Sequence, residues 1–375
     1  MTKHVTVVIG TRPEAIKLAP VIHALAARGV APALIFSGQH PALDPQLHGL
    51  GAFDAVRLAC PGQGNPHTHV AMVSEALLGP LTRASAELVM VQGDTSTALG
   101  GALAANLAGI PVAHVEAGLR SHDLRSPWPE EEFRVAIDRE ADLLFAPTEL
   151  SAANLRRERV RGRIHVTGNS GIDAALAAAP AVRAARSGGV PRLLVTCHRR
   201  ENWNDGLGRI AAALKHVATE QIARVELILH PNPSLCSRLV QLLDGVDSIT
   251  FRQPCGHSET LGAMLECDLV LSDSGGLQEE ASALGVPLLV LRDRTERPEA
   301  IACGSIELVG TESERIVDAV RRRLSGNRRT APTLAFGDGR AGERIAAIVK
   351  EWLREKEESA LSPIPTTCPR QVGNW

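Results

Sequence analysis

Three carboxylates occupy positions from which an α/β chain can move protons. Asp94 follows the apolar run Leu88–Gln92 in Gln92-Gly93-Asp94-Thr95, and Glu116 follows Val112–Val115 in Glu116-Ala117-Gly118-Leu119-Arg120. Glu130 opens the run Glu130-Glu131-Glu132 that leads into Phe133-Arg134, directly after Trp128-Pro129. Strand ends of one sheet can aim at a common point. Carboxylates held close together drive one pKa up, which supplies an acid and a base near neutral pH. Taken singly, two of them have plainer readings. Asp94 can cap the next helix, and the Glu130-Glu131-Glu132 run can be the acidic helix start that a dipole favours.

Cationic and glycine-rich turns form the second group. Gly10-Thr11-Arg12-Pro13 follows the run Val5–Ile9 and opens a helix that carries Lys17. Gly permits a close backbone turn, Pro suits the first helical position, and the unpaired N–H groups of a helix start favour an anion. Asp273-Ser274-Gly275-Gly276 is the strongest local signal, because small residues leave phosphates room against backbone N–H groups. Glu280, one turn further on, suits sugar or ribose hydroxyls better than phosphate. Thr196-Cys197-His198-Arg199-Arg200, His230-Pro231-Asn232-Pro233 and the loop of Arg292, Arg294, Glu296 and Arg297 follow other strands. The first and last read as phosphate contacts or as solvated loops, whereas the two prolines of the His230 run make a stiff loop that either positions His230 or only ends its strand. None of these runs is a GxGxxG fingerprint or a P-loop.

The elements that must position these residues alternate regularly. Short β-branched runs at Val5–Ile9, Ala33–Ser37, Leu88–Gln92, Val112–Val115, Leu143–Ala146 and Ile164–Val166 are separated by helical patterns. The pattern breaks at the small-residue stretch Ala177–Pro191. It restarts with strands at Arg192–Thr196, Arg224–Leu229, Ser248–Phe251, Leu269–Ser272, Leu288–Leu291 and Ser305–Leu308. Continuous apolar strands between helices indicate parallel sheets covered on both faces. The reading is therefore α/β, with two doubly wound Rossmann-like domains facing each other across a cleft. The first spans 1–176 and the second 177–340, followed by a helix over 341–358 and a disordered tail over 359–375. Ligands of such sheets bind beyond the carboxyl ends of the strands, where the residues above lie.

Composition narrows the field. A chain of 375 residues exceeds what one core usually organises. It is 44% hydrophobic and 22% charged with net charge −2, and its pI near 6.7 gives no reason to expect nucleic acid or an anionic membrane as partner. No Tyr is present, which excludes a tyrosine acid/base. Seven cysteines at irregular spacing, none in CxxC, read as reduced thiols. No long apolar run precedes Val5–Ile9, so a cytoplasmic location is expected.

In order along the chain, several stretches resemble the non-hydrolysing UDP-N-acetylglucosamine 2-epimerases. They are Gly-Thr-Arg-Pro-Glu-Ala-Ile-Lys at 10–17, Gly-Gln-His at 38–40, Gln-Gly-Asp-Thr at 92–95, His-Val-Glu-Ala-Gly-Leu-Arg at 114–120 and Pro-Trp-Pro-Glu-Glu at 127–131. His-Arg-Arg-Glu-Asn at 198–202, His-Pro-Asn-Pro at 230–233, Asp-Ser-Gly-Gly-Leu-Gln-Glu-Glu at 273–280 and Arg-Asp-Arg-Thr-Glu-Arg-Pro-Glu at 292–299 continue the series. The resemblance implies a GT-B-like pair of domains, with the last helix crossing back to the first. The implied reaction is reversible epimerisation at C2 of UDP-GlcNAc to UDP-ManNAc by elimination and re-addition of UDP through 2-acetamidoglucal. The resemblance further implies Asp94, Glu116, Glu130 and His198 as catalytic residues. It implies Arg12, Lys17, Arg134, His230, His257, Ser274, Gly275, Gly276, Glu280 and Arg297 as UDP-sugar contacts. No nicotinamide, metal or other cofactor is implied, and the family commonly forms homodimers.

Two departures stand out. Where the family often carries Pro-x-x-Tyr-x-x-Phe for uracil, this chain has Pro254-Cys255-Gly256-His257-Ser258-Glu259-Thr260, with His257 in place to stack. Where members activated by a second UDP-GlcNAc carry Gln-His-Arg-Glu, this chain has Gln39-His40-Pro41-Ala42. Weak or absent activation is expected. A hydrolysing epimerase that releases ManNAc and UDP, a glycosyltransferase on the same scaffold and a silent binding protein are the alternatives.

Overall fold

The computed structural model describes residues 3–44, 46, 49–179, 189–197, 199, 202–203, 205–326 and 330–361. In its first half the strands are β1 (Lys3–Ile9), β2 (Val30–Phe36), β3 (Ala55–Arg57), β4 (Leu88–Gln92), β5 (Val112–Val115), β6 (Leu143–Ala146) and β7 (Arg163–Val166). The helices between them are α1 (Arg12–Ala27), α2 (Pro66–Arg83), α3 (Ser96–Leu107), α4 (Glu130–Glu140), α5 (Glu149–Glu158) and α6 (Ser170–Ala178). The second half has strands β8 (Arg192–Thr196), β9 (Arg224–Ile228), β10 (Ile249–Arg252), β11 (Leu269–Ser272), β12 (Leu288–Val290) and β13 (Ile306–Leu308). Its helices are α7 (Asp205–Thr219), α8 (Pro233–Leu243), α9 (His257–Glu266), α10 (Gly275–Leu284), α11 (Pro298–Ala302), α12 (Ser313–Ser325) and α13 (Ala341–Leu361).

The first sheet has the order β3-β2-β1-β4-β5-β6-β7 and the second β10-β9-β8-β11-β12-β13, with every pairing parallel. The order reverses between β1 and β4 in one sheet and between β8 and β11 in the other. Those are the crevices in which doubly wound sheets hold ligands. Each sheet is packed on both faces. Leu18, Ile22 and Leu25 of α1 lie under one face of the first, and Val73 and Leu77 of α2 lie over the other. Burial on both sides is why the strands lack alternation.

Helix starts explain where periodicity and structure diverge. The apolar pattern predicts the first helix from Ala15, yet it begins at Arg12. Thr11 caps it and the Glu14 side chain returns to the Thr11 N–H, a closed capping box. Asn65 likewise starts α2 at Pro66, ahead of the expected Val70. Two elements escape the sequence pattern. Strand β3 is three exposed residues, and α6 lies in a run of small residues and continues to Ala178, two residues past the expected division at 176. Residues 180–188 of the boundary stretch lie outside the described residues.

Two connections run between the halves side by side. The Asn169 N–H donates to the Phe336 carbonyl at 2.7 Å, and Gly168 and Gly337 face each other so closely that a Cβ on Gly168 would sit 3.1 Å from the Gly337 Cα. After the second crossing α13 returns to the first half. Ile345, Val349, Trp352 and Leu353 join the core beneath α1. The helix runs to Leu361, beyond the expected end at 358, because Glu351, Arg354 and Glu358 pair along its exposed face.

Candidate active site

The turn after β1 brings Gly10 against α3, so close that a Cβ would lie 2.2 Å from Thr97 Oγ1. Only glycine lets the chain pass here, and Arg12 is thereby delivered as the first residue of α1. Arg12 is half-buried, its Nε is without a hydrogen-bond partner among the described residues, and it reaches across to Gly256 before α9. Glu14 ties this turn to the next strand end by accepting from Thr95 Oγ1 at 2.7 Å. Burial pushes the Glu14 pKa up.

Glu116 is buried and held by four side chains. Lys17 Nζ donates to both its oxygens at 2.6 and 2.7 Å, Gln92 donates to Oε2, Asn169 donates at 3.0 Å and Arg297 Nη2 lies at 3.5 Å. Its backbone has φ of 71°, a left-handed conformation that a non-glycine residue keeps only when its surroundings impose it. Here the N–H groups of Glu116 and Ala117 both donate to the Phe145 carbonyl at 3.1 Å. Burial acts to raise the Glu116 pKa, but Lys17 and Arg297 hold it below the usual carboxylate range. Its neighbour Glu279, joined through Asn169 and Arg297, goes the other way because burial wins there. Lys17 is pulled down by burial and held above its ordinary value by Glu116 and Glu279.

Asp94, at the end of β4, keeps about a third of its side chain open (30%) and pairs with Arg134 at 2.5 Å. Arg134 is buried, beside Glu131 at 3.3 Å and Glu296 at 4.0 Å. Glu130 begins α4. Its Oε2 is buried without a hydrogen-bond partner among the described residues, and Arg199 Nη1 lies 3.8 Å from Oε1. Burial, and then the charge of Asp94, push the Glu130 pKa up. The three carboxylates thus occupy unlike settings. Glu116 is locked among cations, Asp94 rests on one arginine, and Glu130 is desolvated and underpartnered.

A network behind the site fixes the turns. His114 on β5 meets Asp138 at 2.6 Å through Nδ1 and the Gly93 carbonyl at 2.8 Å through Nε2. Asp138 also accepts from the Gly118 N–H at 3.1 Å and pairs with Arg120 at 2.7 Å. Burial acts to raise Asp138, yet His114 and Arg120 hold it low. The backbones on either side of Asp94 and Glu116 are therefore pinned to one buried ion cluster.

The second half supplies the facing wall. Ser274 caps α10, with a Cβ on Gly276 meeting nothing within 4 Å and one on Gly275 lying 2.8 Å from Arg297 Nη1. Gly276 therefore leaves the helix start open, whereas Gly275 makes room for Arg297. His257 opens α9 and meets Glu280 at 2.8 Å, so its ring is held by a carboxylate. His230 accepts from the Asn232 N–H at 3.0 Å and stands edge-on to Trp203 at 5.7 Å. Arg297 is buried on Glu279, Glu296 and Glu116. His198 lies outside the described residues.

The structure thus gathers Asp94, Glu116, Glu130, Lys17, Arg134 and Arg297 around one interdomain cluster, with Arg12, His257, Glu280 and the start of α10 beyond it. Sequence reasoning passed over Gln92, Asn169, Glu131, Glu279 and the role of Glu296. A signal existed for Gln92, which directly precedes Gly93-Asp94. Asn169 and Glu279 act only through tertiary contact.

Two parallel sheets with interleaved helices, closed on each other by a returning helix, make this a GT-B-like α/β protein. The profile of the UDP-N-acetylglucosamine 2-epimerase family matches residues 23–350. The UDP-N-acetylglucosamine 2-epimerase of Escherichia coli (strain K12) is 39% identical over 371 residues, covering 92% of this chain and 98% of its own. The Neisseria meningitidis UDP-GlcNAc 2-epimerase bound to UDP-GlcNAc superposes with a TM-score of 0.85 at 32% identity, over 93% of this chain and 100% of that one. The Methanocaldococcus jannaschii enzyme in complex with UDP-GlcNAc and UDP gives 0.82 at 33% identity, over 93% and 99%. This chain belongs to the UDP-N-acetylglucosamine 2-epimerase family.

Proposed function

We propose that the protein interconverts UDP-GlcNAc and UDP-ManNAc without net hydrolysis, through 2-acetamidoglucal. The observation that carries this reading is the gathering of Asp94 and Glu116 beyond the strand ends and Glu130 at the start of α4, with Arg199 and Arg297 of the other half reaching Glu130 and Glu116. In the first step the C1–O bond breaks, its electron pair leaves with UDP, and the C2 proton passes to a carboxylate. In the second a proton is delivered to the opposite face of C2 while a UDP oxygen re-forms the bond to C1. The C2–H of a sugar is a weak acid. Cationic character developing at C1 is what makes it removable.

The unlike settings suit unlike roles. Glu116, held ionised by Lys17 and Arg297, supports positive charge at the ring. Glu130, pushed toward neutrality, suits a group that gives and takes a proton. Asp94 on Arg134 is the second proton partner. The start of α10, with Ser274 and Gly276, and Arg12 are the proposed diphosphate contacts, with Glu280 on ribose. Lys17, Arg134 and Arg297 act chiefly through the carboxylates they hold. Keeping glucal and UDP together in the closed cleft favours recombination over escape. No cofactor enters the proposed cycle, and we infer a cytoplasmic homodimer.

Incubation with UDP-GlcNAc in D2O, without metal or acceptor, tests the reading by NMR. Deuterium at C2 of both UDP-sugars is expected. Accumulating free ManNAc and UDP would replace it with the hydrolysing reaction, and unchanged substrate would reject both. Light scattering tests the dimer.

A further inference from the structure

Glu296 lies between β12 and α11, buried at 3% exposure. Its Oε2 meets Arg292 at 3.0 Å. Its Oε1 faces three more guanidinium groups, Arg297 at 3.0 Å, Arg199 at 3.6 Å and Arg134 at 4.0 Å. Each of these three arginines also touches a different one of the carboxylates assigned above. Arg297 reaches Glu116 at 3.5 Å, Arg199 reaches Glu130 at 3.8 Å and Arg134 reaches Asp94 at 2.5 Å. A structural ion pair needs one partner. Here a single oxygen of the second half is the shared counter-charge of three spokes, and every spoke ends on a carboxylate of the first half.

We propose that Glu296 is a positioning residue for the C2 proton transfers: by holding Arg134, Arg199 and Arg297 it sets their reach toward Asp94, Glu130 and Glu116, and couples all three carboxylates to closure of the halves. The inference rests on the epimerase reading above. A guanidinium shared between two carboxylates neutralises each only in part. Without the charge of Glu296, the three arginines turn fully onto the remaining carboxylates and make them weaker bases. Other charges facing these groups are Lys17 and Glu279 beside Glu116, Glu131 beside Arg134, and Arg292 on Glu296 itself. None of them bridges the three spokes.

Glu296→Gln in the full chain keeps the shape and removes the charge. The expected result is a kcat lower by roughly 100-fold, with UDP affinity by calorimetry unchanged, because Arg297 keeps Glu116 and Glu279 and the proposed diphosphate contacts do not touch Glu296. The acidic limb of the kcat–pH profile should also move about one unit to lower pH. Glu296→Asp keeps the charge but retracts it. Its pH midpoint should stay with the wild type while kcat falls about tenfold. If Glu296→Gln does not fold, Glu296→Asp carries the test, and a wild-type kcat in that variant overturns the proposal. A folded Glu296→Gln with wild-type kcat and pH profile overturns it as well. So does loss confined to UDP affinity. Wild-type protein that neither epimerises nor exchanges C2–H removes the underlying reading, whereas active wild type with an indifferent Glu296→Gln removes only this inference.

Discussion

Asp94 and Asp273 occupy the same place in two copies of one topology. Each follows the strand that lies across the switch point from the first strand of its sheet, and each precedes a helix. Their fates differ. Asp94 leaves 30% of its side chain in the cleft on Arg134, while Asp273 is wholly buried and accepts from the Arg199 N–H at 3.0 Å and Asn202 Nδ2 at 2.9 Å. The same signal, an aspartate closing an apolar strand, thus marks a cleft-exposed group, the proposed proton partner, in one half and a loop anchor in the other. Position in the fold brings a carboxylate to the crevice. Its partners decide whether it stays free enough for chemistry.

The largest expected effect breaks the first member of the pair. Asp94→Asn should lower kcat by about 10²–10⁴-fold, the range for loss of a general acid or base. Thermal stability should change little, because Arg134 retains Glu131 and Glu296. Steady-state rates and a melting curve check this. Substantial unfolding would mean that Asp94 is an anchor like Asp273.

Asp273→Ala tests the other member. It takes the acceptor from the part-buried Arg199 N–H and one of two acceptors from the buried Asn202 Nδ2, which keeps the Leu291 carbonyl at 3.3 Å, at a cost of about 1–3 kcal/mol, read from denaturant midpoints. Corrected for the folded fraction, kcat should stay within about tenfold of wild type, the shortfall coming from a loosened Arg199.

How much of this was legible is clear from the same residues. The alternation of apolar strands and helices specified two doubly wound units, because parallel strands buried on both faces leave that mark. Asp94, Glu116 and Glu130 were visible as strand-end or helix-start carboxylates. Their inequality was not, since it arises from Lys17 at one end of the chain, Asn169 at the crossing and Arg297 near the other end. These residues are far apart in sequence and meet only when the sheets pack. Helix α6 was hidden for a related reason. Its small residues face two halves at once, with Ile172 and Ala175 in the core of the second, and give no one-sided stripe. The short strand β3 has no buried face to leave a pattern.

Glycines at the start of α10 sharpen the contrast between scaffold and site. Gly276→Ala adds a methyl group to open space, so the protein should fold normally. UDP affinity should fall about tenfold, because the methyl occupies the approach to the helix start. Gly275→Ala drives a Cβ to 2.8 Å from Arg297 Nη1. That should cost about 1–2 kcal/mol of stability and disturb Glu116 along with nucleotide binding. Equal calorimetric losses in both variants, with unchanged melting, would remove the distinction.

Glu130 should behave oppositely to an anchor when pH is varied. Its folded pKa is raised, so it favours the folded state only while protonated. That contribution is complete below its unfolded pKa and is lost as pH rises through the higher folded value. Glu130→Gln should therefore abolish most turnover and yet raise the melting temperature near neutral pH, with the gain shrinking on acidification. Glu116, whose folded pKa is lowered, contributes stability above its unfolded pKa that is lost as pH falls through the lower folded value. Glu116→Gln should accordingly lower the neutral melting temperature, and the deficit should narrow in acid. Melting curves of both variants across pH check the pair.

The smallest effect is expected beside the end of β2, close to the first switch point. Gln39 is already engaged there, since Thr97 Oγ1 donates to its Oε1 at 2.7 Å, and Thr97 in turn is bonded to Ser37 at 2.8 Å. The next positions are His40, whose burial pulls its pKa down, then Pro41 without an N–H and Ala42 without a polar group. A second nucleotide sugar would find neither the cation nor the carboxylate of the Gln-His-Arg-Glu pattern that the family resemblance associates with activation. The rate from UDP-ManNAc alone should therefore rise by less than the roughly fivefold at which allosteric coupling usually begins when UDP-GlcNAc is added. A larger rise would require a contact set elsewhere in the cleft, and Gln39→Ala, which leaves Asp94 and Glu116 in place, would separate a site at this strand end from one that is not.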